Sequence, residues 1–180
     1  MPTLFLDQYE SPIGIILLVT DEERQLRALD FADYESRMRR LLRRHYGTEE
    51  TLPIPAPTAI KDALDAYFEG DFDALAVIVC QTNGSPFQRQ VWAALCEIPP
   101  GKTMSYAALA ASIGKPAAVR AVGLANGSNP IGIVVPCHRV IGANGKLSGY
   151  GGGVTRKAWL LEHEGALPSA NMAQHALDLE

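Results

Sequence analysis

Around residues 81–85 the 180-residue chain changes both its charge and its hydrophobic periodicity, and any fold has to accommodate that break. Residues 1–83 hold eight Lys/Arg against fifteen Asp/Glu, a balance of −7, whereas residues 84–165 hold eight against three, a balance of +5. Residues 166–180 add −2, so the formal net charge of −4 conceals two segments of opposite sign. A polyanion is drawn to the second segment and repelled by the first. The polar run Gln81-Thr82-Asn83-Gly84-Ser85 reads as the linker between them, and a chain of this length can form two small lobes.

Before the break the pattern is that of a β-meander followed by helices. Residues 3–8, 13–20 and 25–31 are β-favouring runs separated by Ser11-Pro12 and Asp21-Glu22-Glu23. Asp33 is placed to cap a helix reaching Tyr46, with Met38, Leu41, Leu42 and His45 at helical spacing. The arginines of that helix, Arg37 to Arg44, read as a solvated face rather than a nucleic-acid patch. A second helix is predicted over residues 58–69 and a buried strand over 75–79, with Cys80 as a small core hydrophobe. After the break Pro86 suits the first turn of a helix to about Glu97. Phe87, Val91, Leu95 and Ile98 share one face there, with Trp92 and Cys96 in the same core.

Three cysteines without a CxxC pair, and four scattered histidines, argue against a disulfide framework and against zinc. Neither metal nor cofactor is expected. No apolar run is long enough to cross a bilayer and no basic leader precedes one, so a cytoplasmic protein away from membranes is the expectation.

Ser105 can cap a helix over residues 106–113; Gly114-Lys115-Pro116 makes a turn, and residues 117–126 form a second helix. A helix that reads base edges in the major groove carries several long polar side chains. This one offers small residues and a single long cation, Arg120. Small residues let a helix press on the narrow minor groove, where one arginine can enter the stack in place of an extruded base. On this segment alone, an Ala-rich core helix with Arg120 reaching solvent is the favoured reading.

The run Ile131-Gly132-Ile133-Val134-Val135 ends at Pro136-Cys137-His138-Arg139, which is expected to place Cys137 at a strand terminus facing a cleft. A cysteine is nucleophilic as its thiolate, which an adjacent base and a nearby positive charge favour; His138 and Arg139 are the candidates. Downstream, Ser148-Gly149-Tyr150-Gly151-Gly152-Gly153 is a glycine-rich loop with one phenol. Thr155 is placed to cap a last helix bringing Trp159, Leu160, Leu161 and Glu164 inward.

Four segments together resemble the O6-alkylguanine-DNA alkyltransferases, the methylated-DNA–protein-cysteine methyltransferases. They are Ser85-Pro86-Phe87-Gln88 with Val91-Trp92; Gly101 through Leu109; Arg120 through Asn129; and Pro136-Cys137-His138-Arg139-Val140 through Glu164-Gly165. The resemblance implies a ribonuclease-H-like α/β lobe over residues 1–83, a short antiparallel sheet plus helices. It also implies a mainly helical catalytic and DNA-binding domain over 84–165, with a winged helix-turn-helix-like motif; residues 166–180 are left as a flexible tail. Its implied partner is double-stranded DNA containing O6-alkylguanine, approached through the minor groove by a protein monomeric off DNA.

On matching positions the resemblance implies that Cys137 accepts the alkyl group, His138 takes the thiol proton through a water, and Glu164 holds the histidine. Asn129 organises the turn before the site. Tyr106 assists flipping and donates to guanine N3, and Arg120 fills the gap left by the base. The carbonyls of Cys137 and Val140 read the guanine amino group, while Tyr150 and the amide of Gly151 face O6. Ser105, Ala121 and Asn126 complete the DNA-contacting set. Relatives often carry proline at the position of Gly132 and serine or alanine at that of Gly151, so glycine at both predicts tolerance of alkyl groups larger than methyl. Asn126 stands where relatives are often apolar, and the zinc ligands near the N-terminus of some relatives have no counterpart in this sequence.

Three other readings fit less well. A non-catalytic sensor of alkylated DNA has its nucleophile replaced, usually by tryptophan, which Cys137 argues against. A helix-turn-helix regulator leaves the Tyr150 loop and Glu164 without a role. A cysteine hydrolase lacks an oxyanion motif.

Overall fold

The computed structural model describes residues 1–167 and resolves two compact units, one of Met1–Gly84 with Pro130–Val134, the other of Ser85–Asn129 with the chain from Val135 onward. In the tail expected at 166–180, Ala166 and Leu167 pack against Leu147, Ala158 and Leu161, and the remainder lies outside the described residues.

In the first unit β1 (Phe5–Ser11), β2 (Gly14–Thr20) and β3 (Leu26–Phe31) form an antiparallel sheet in chain order. Its turns are fixed by short polar side chains. Ser11 Oγ donates to the Gly14 carbonyl at 2.6 Å, and Asp21 Oδ1 accepts from the amides of Glu23 and Gln25 at 2.9 and 3.0 Å. The central strand is buried without interruption from Ile16 to Thr20, which requires cover on both faces. On one face Leu17 and Val19 pack with Met38, Leu42 and Tyr46 of α1 (Glu35–Tyr46). On the other, Tyr9 stands opposite Ile16 and donates its hydroxyl to Asp65 of α2 (Thr58–Phe68) at 2.6 Å.

Three expectations for this unit are corrected. Asp33 does not cap α1; it lies in a 3-10 turn, Ala32–Tyr34, and α1 begins after Tyr34 without a side-chain cap. The strand expected over 75–79 is a 3-10 turn, Phe72–Val77, because the segment buries Leu75 and Ile78 three residues apart and leaves Val77 and Val79 in solvent. Cys80, half-buried, makes a single parallel bridge to Leu26. Nor is the run before Pro136 a strand: Ile131 makes one bridge to Leu29, and Ile133 turns the chain at φ +69°.

The second unit opens with α3 (Pro86–Leu95), capped by a reciprocal pair in which Ser85 Oγ accepts from the Gln88 amide and the Gln88 side chain accepts from the Ser85 amide. Val91, Leu95 and Ile98 are buried as expected, Phe87 is half-buried, and Cys96 is exposed where α3 ends. The Trp92 indole crosses to α5 (Val119–Gly127) and donates to the Ala125 carbonyl at 2.9 Å. Between them lie β4 (Met104–Ser105) and α4 (Tyr106–Ser112), whose first turn Ser105 caps through the Ala108 amide at 3.0 Å. A short parallel pair joins β4 to β5 (Val140–Ile141). The last helix, α6 (Val154–His163), starts from Gly153 at φ +94° rather than from a Thr155 cap, and its Trp159 is half-buried, stacked on His163. Among the described residues no helix is long and apolar enough to cross a membrane.

Trp92 is 3% exposed and ties α3 to α5. Trp92→Ala is expected to cost about 3–5 kcal/mol of stability through the cavity it leaves, measured by urea unfolding followed by circular dichroism.

Candidate active site

Cys137 opens a 3-10 turn, Cys137–Arg139, that leads directly into β5. The chain reaches it through a bend held by Asn129, whose Nδ2 donates to the Val135 carbonyl at 2.8 Å; both residues belong to the second unit. Asn126, at the end of α5 and 3% exposed, approaches the Cys137 carbonyl with Nδ2 at 3.4 Å. Cys137 itself is buried at 7% exposure, so a reacting atom meets it in a largely dry setting.

Behind the cysteine lies a buried charge network. His138, fully buried, shares a 2.9 Å hydrogen bond between Nε2 and Glu164 Oε2. Arg139 grips the same carboxylate with two nitrogens, at 2.8 Å to Oε1 and 3.0 Å to Oε2, and donates to the Ile98 carbonyl at 2.6 Å. This fork geometry is the strong form of the ion pair. Gly101 lies beside the Glu164 backbone, at φ +82°, where a Cβ would stand 3.0 Å from its carbonyl.

Burial pulls the His138 imidazole below its ordinary value; Glu164 opposes this, while the Arg139 and Lys157 charges add to it. His138 is therefore neutral at pH 7. For Glu164, burial acts upward, but the hydrogen bonds of His138 and Arg139, with the Arg139 charge and that of His138 once it is protonated at low pH, override it and hold the carboxyl at about 2. With His138 neutral, the positive charge facing Glu164 is the Arg139 guanidinium. An ionised carboxylate only accepts, so Nε2 carries the imidazole proton and Nδ1 presents its lone pair. Nδ1 makes no hydrogen bond to the protein among the described residues.

The other expected residues surround this network or face outward. Tyr150 stands edge-on to His138 at 6.5 Å between ring centroids, and Gly151 follows it in the loop. The Tyr106 hydroxyl donates to the Ser148 carbonyl at 3.4 Å, and its ring lies over Gly123 of α5. Val140 pairs with Met104. The Ser105 hydroxyl is engaged as the α4 cap, whereas Arg120 and Ala121 are exposed on α5. Gly132 belongs to the first unit, where its amide donates to the Leu29 carbonyl.

Two family models match the chain: the 6-O-methylguanine DNA methyltransferase ribonuclease-like domain over residues 5–77, and its DNA binding domain over residues 86–166. The chain belongs to this family. It is 49% identical over 169 residues to the methylated-DNA–protein-cysteine methyltransferase of Salmonella typhimurium, covering 93% of this chain and 99% of that one. The crystal structure of Mycobacterium tuberculosis O6-methylguanine methyltransferase, 42% identical, superposes with a TM-score of 0.74 over 93% of this chain and 96% of that one. A structure of the M. tuberculosis protein in complex with DNA gives 0.76 at the same identity, over 93% and 98% of the two chains.

Sequence reasoning missed Lys157 altogether. It is fully buried, and its ammonium donates to the carbonyls of Val140 at 2.6 Å and Ser148 at 2.9 Å, tying the Tyr150 loop to β5. Burial lowers its pKa to about 8, and Cys137, when ionised, acts against the fall. The signal was present: Lys157, Leu160, Leu161 and Glu164 recur at the spacing of one helix face, so a lysine stood in register with the core. Arg139 was read as a charge beside Cys137; its hydrogen bonds instead go to Glu164 and Ile98.

Because the Glu164 carboxyl lies below its ordinary 4.5, its contribution to stability is complete above that pH and is lost as pH falls through about 2. Glu164→Gln is expected to cost about 3–5 kcal/mol at pH 7 by stranding the buried Arg139 charge. It is also expected to flatten the acid loss of stability; urea unfolding across pH measures both.

Proposed function

We infer that this chain repairs alkylated DNA by direct reversal, transferring the alkyl group of O6-alkylguanine to Cys137 in a single turnover. The observation that carries this reading is a buried cysteine followed by a neutral histidine whose Nε2 is committed to Glu164 while Nδ1 remains available.

The thiol proton passes to His138 Nδ1 through a water, and Glu164 stabilises the imidazolium that forms. The thiolate attacks the sp³ carbon in line with the C–O6 bond. A C–S bond forms, the C–O6 bond breaks, and its electron pair goes to the guanine ring. Tyr106 at N3, with Tyr150 and the Gly151 amide toward O6, meets that developing charge with donors. The Cys137 and Val140 carbonyls accept from the guanine amino group, and Lys157 fixes the Val140 carbonyl in place. The product is a thioether, which thiol reductants do not cleave, so the protein is consumed.

For the base to reach Cys137 it must leave the stack. The α4–α5 pair acts as a winged helix-turn-helix-like element that approaches duplex DNA from the minor groove. Ala121 and the cap at Ser105 permit close contact, Arg120 enters the gap, and Asn126 lies beside the flipped base. The protein acts in the cytoplasm as a monomer until it meets DNA.

Intact-mass measurement and peptide mapping after mixing with O6-methylguanine duplex test this reading. One methyl on the Cys137 peptide is expected, absent with undamaged duplex and absent in Cys137→Ser; a benzyl-guanine duplex is expected to react at a comparable rate. An unmodified protein that binds the lesion tightly would make it a damage sensor instead.

A further inference from the structure

The face of α5 that carries Arg120 is not uniformly small. Leu124, one turn beyond Arg120, is 70% exposed, and among the described residues it is the one large apolar side chain of the second unit left in solvent. Isolated surface leucines are ordinary. This one is set apart by its neighbours: Arg120, Ala121, Leu124 and Gly127 are exposed together, so only Arg120 and Leu124 extend beyond a β-carbon on that face.

A helix can lie against the floor of a minor groove only where its side chains are small or enter the base stack. Leu124 is too large for the first and apolar enough for the second. Four residues along a helix advance it by about 6 Å, close to two base steps of about 3.4 Å. With α5 running along the groove and Arg120 in the space of the extruded guanine, Leu124 meets a step about two base pairs away. The backbone on either side of it is anchored: the Gly123 position carries the Tyr106 ring, the Ala125 carbonyl accepts from Trp92, and the Leu124 carbonyl accepts from the Ser128 amide.

We propose that Leu124 is a second stack-entering side chain, an apolar wedge that opens a base step near the lesion and works with Arg120 to keep the guanine extruded. The inference rests on the reading of α5 as the DNA-contacting helix. The wedge serves flipping and takes no part in bond making, so its effect is confined to substrates that must be flipped.

The test compares wild type, Leu124→Ala and Leu124→Met on two substrates, O6-methylguanine in a duplex and the free base O6-benzylguanine, following alkylated Cys137 by mass. Leu124→Ala is expected to slow transfer from the duplex by roughly tenfold or more, in proportion to the apolar surface withdrawn. Leu124→Met is expected to retain most of the rate, and all three proteins are expected to react equally with the free base. An unchanged duplex rate in Leu124→Ala overturns the wedge, as does an equal fall on both substrates. A wild type that alkylates Cys137 with neither substrate overturns the proposed function instead.

Discussion

The second unit is organised around one carboxylate held in a dry interior. Glu164 is buried and ionised, a state that is costly unless its oxygens are met by donors and its charge is matched. Arg139 supplies the charge through two hydrogen bonds and His138 supplies a third. The partners come from distant stretches of sequence, the 3-10 turn at Cys137 and the end of α6, so the ion pair fixes where those two elements meet. Glycine suits the Gly101 position, because its φ of +82° strains any L side chain and a Cβ would crowd the Glu164 carbonyl at 3.0 Å. The same carboxylate sets the tautomer of His138 and leaves Nδ1 without a hydrogen bond to the protein among the described residues. In the proposed function, stability and chemistry draw on a single interaction.

Lys157 extends this logic to the Tyr150 loop. Its ammonium spans two carbonyls, one on β5 and one at Ser148 where the Tyr150 loop begins, so a charged hydrogen bond ties the loop to β5. Burial brings its titration close to neutrality, so above about pH 8 that tether weakens.

Much of this arrangement was legible in the sequence. The meander followed from β-favouring runs with polar turns, and α3 from Pro86 and its apolar spacing. The family resemblance singled out Cys137, His138 and Glu164, and the structure brings the last two together at 2.9 Å. Failures came where a run of apolar residues was read by composition. Residues 75–79 and 131–135 both look strand-like, yet one buries every third residue in a 3-10 turn and the other bends at Ile133. Lys157 went unread, although its register with Leu160, Leu161 and Glu164 places it on the buried face. Leu124 was the converse: the helix was read as small apart from Arg120, and only its exposure shows that a leucine shares the arginine's face.

The protonation state of His138 carries the whole account, and nitrogen NMR of the histidine side chains across pH reads it directly. His138 is expected to be neutral at pH 7, with its proton on Nε2 facing Glu164 and its pKa below the ordinary 6.5. A charged imidazolium at pH 7, or a neutral ring protonated on Nδ1, would leave no base for the Cys137 proton and would contradict it.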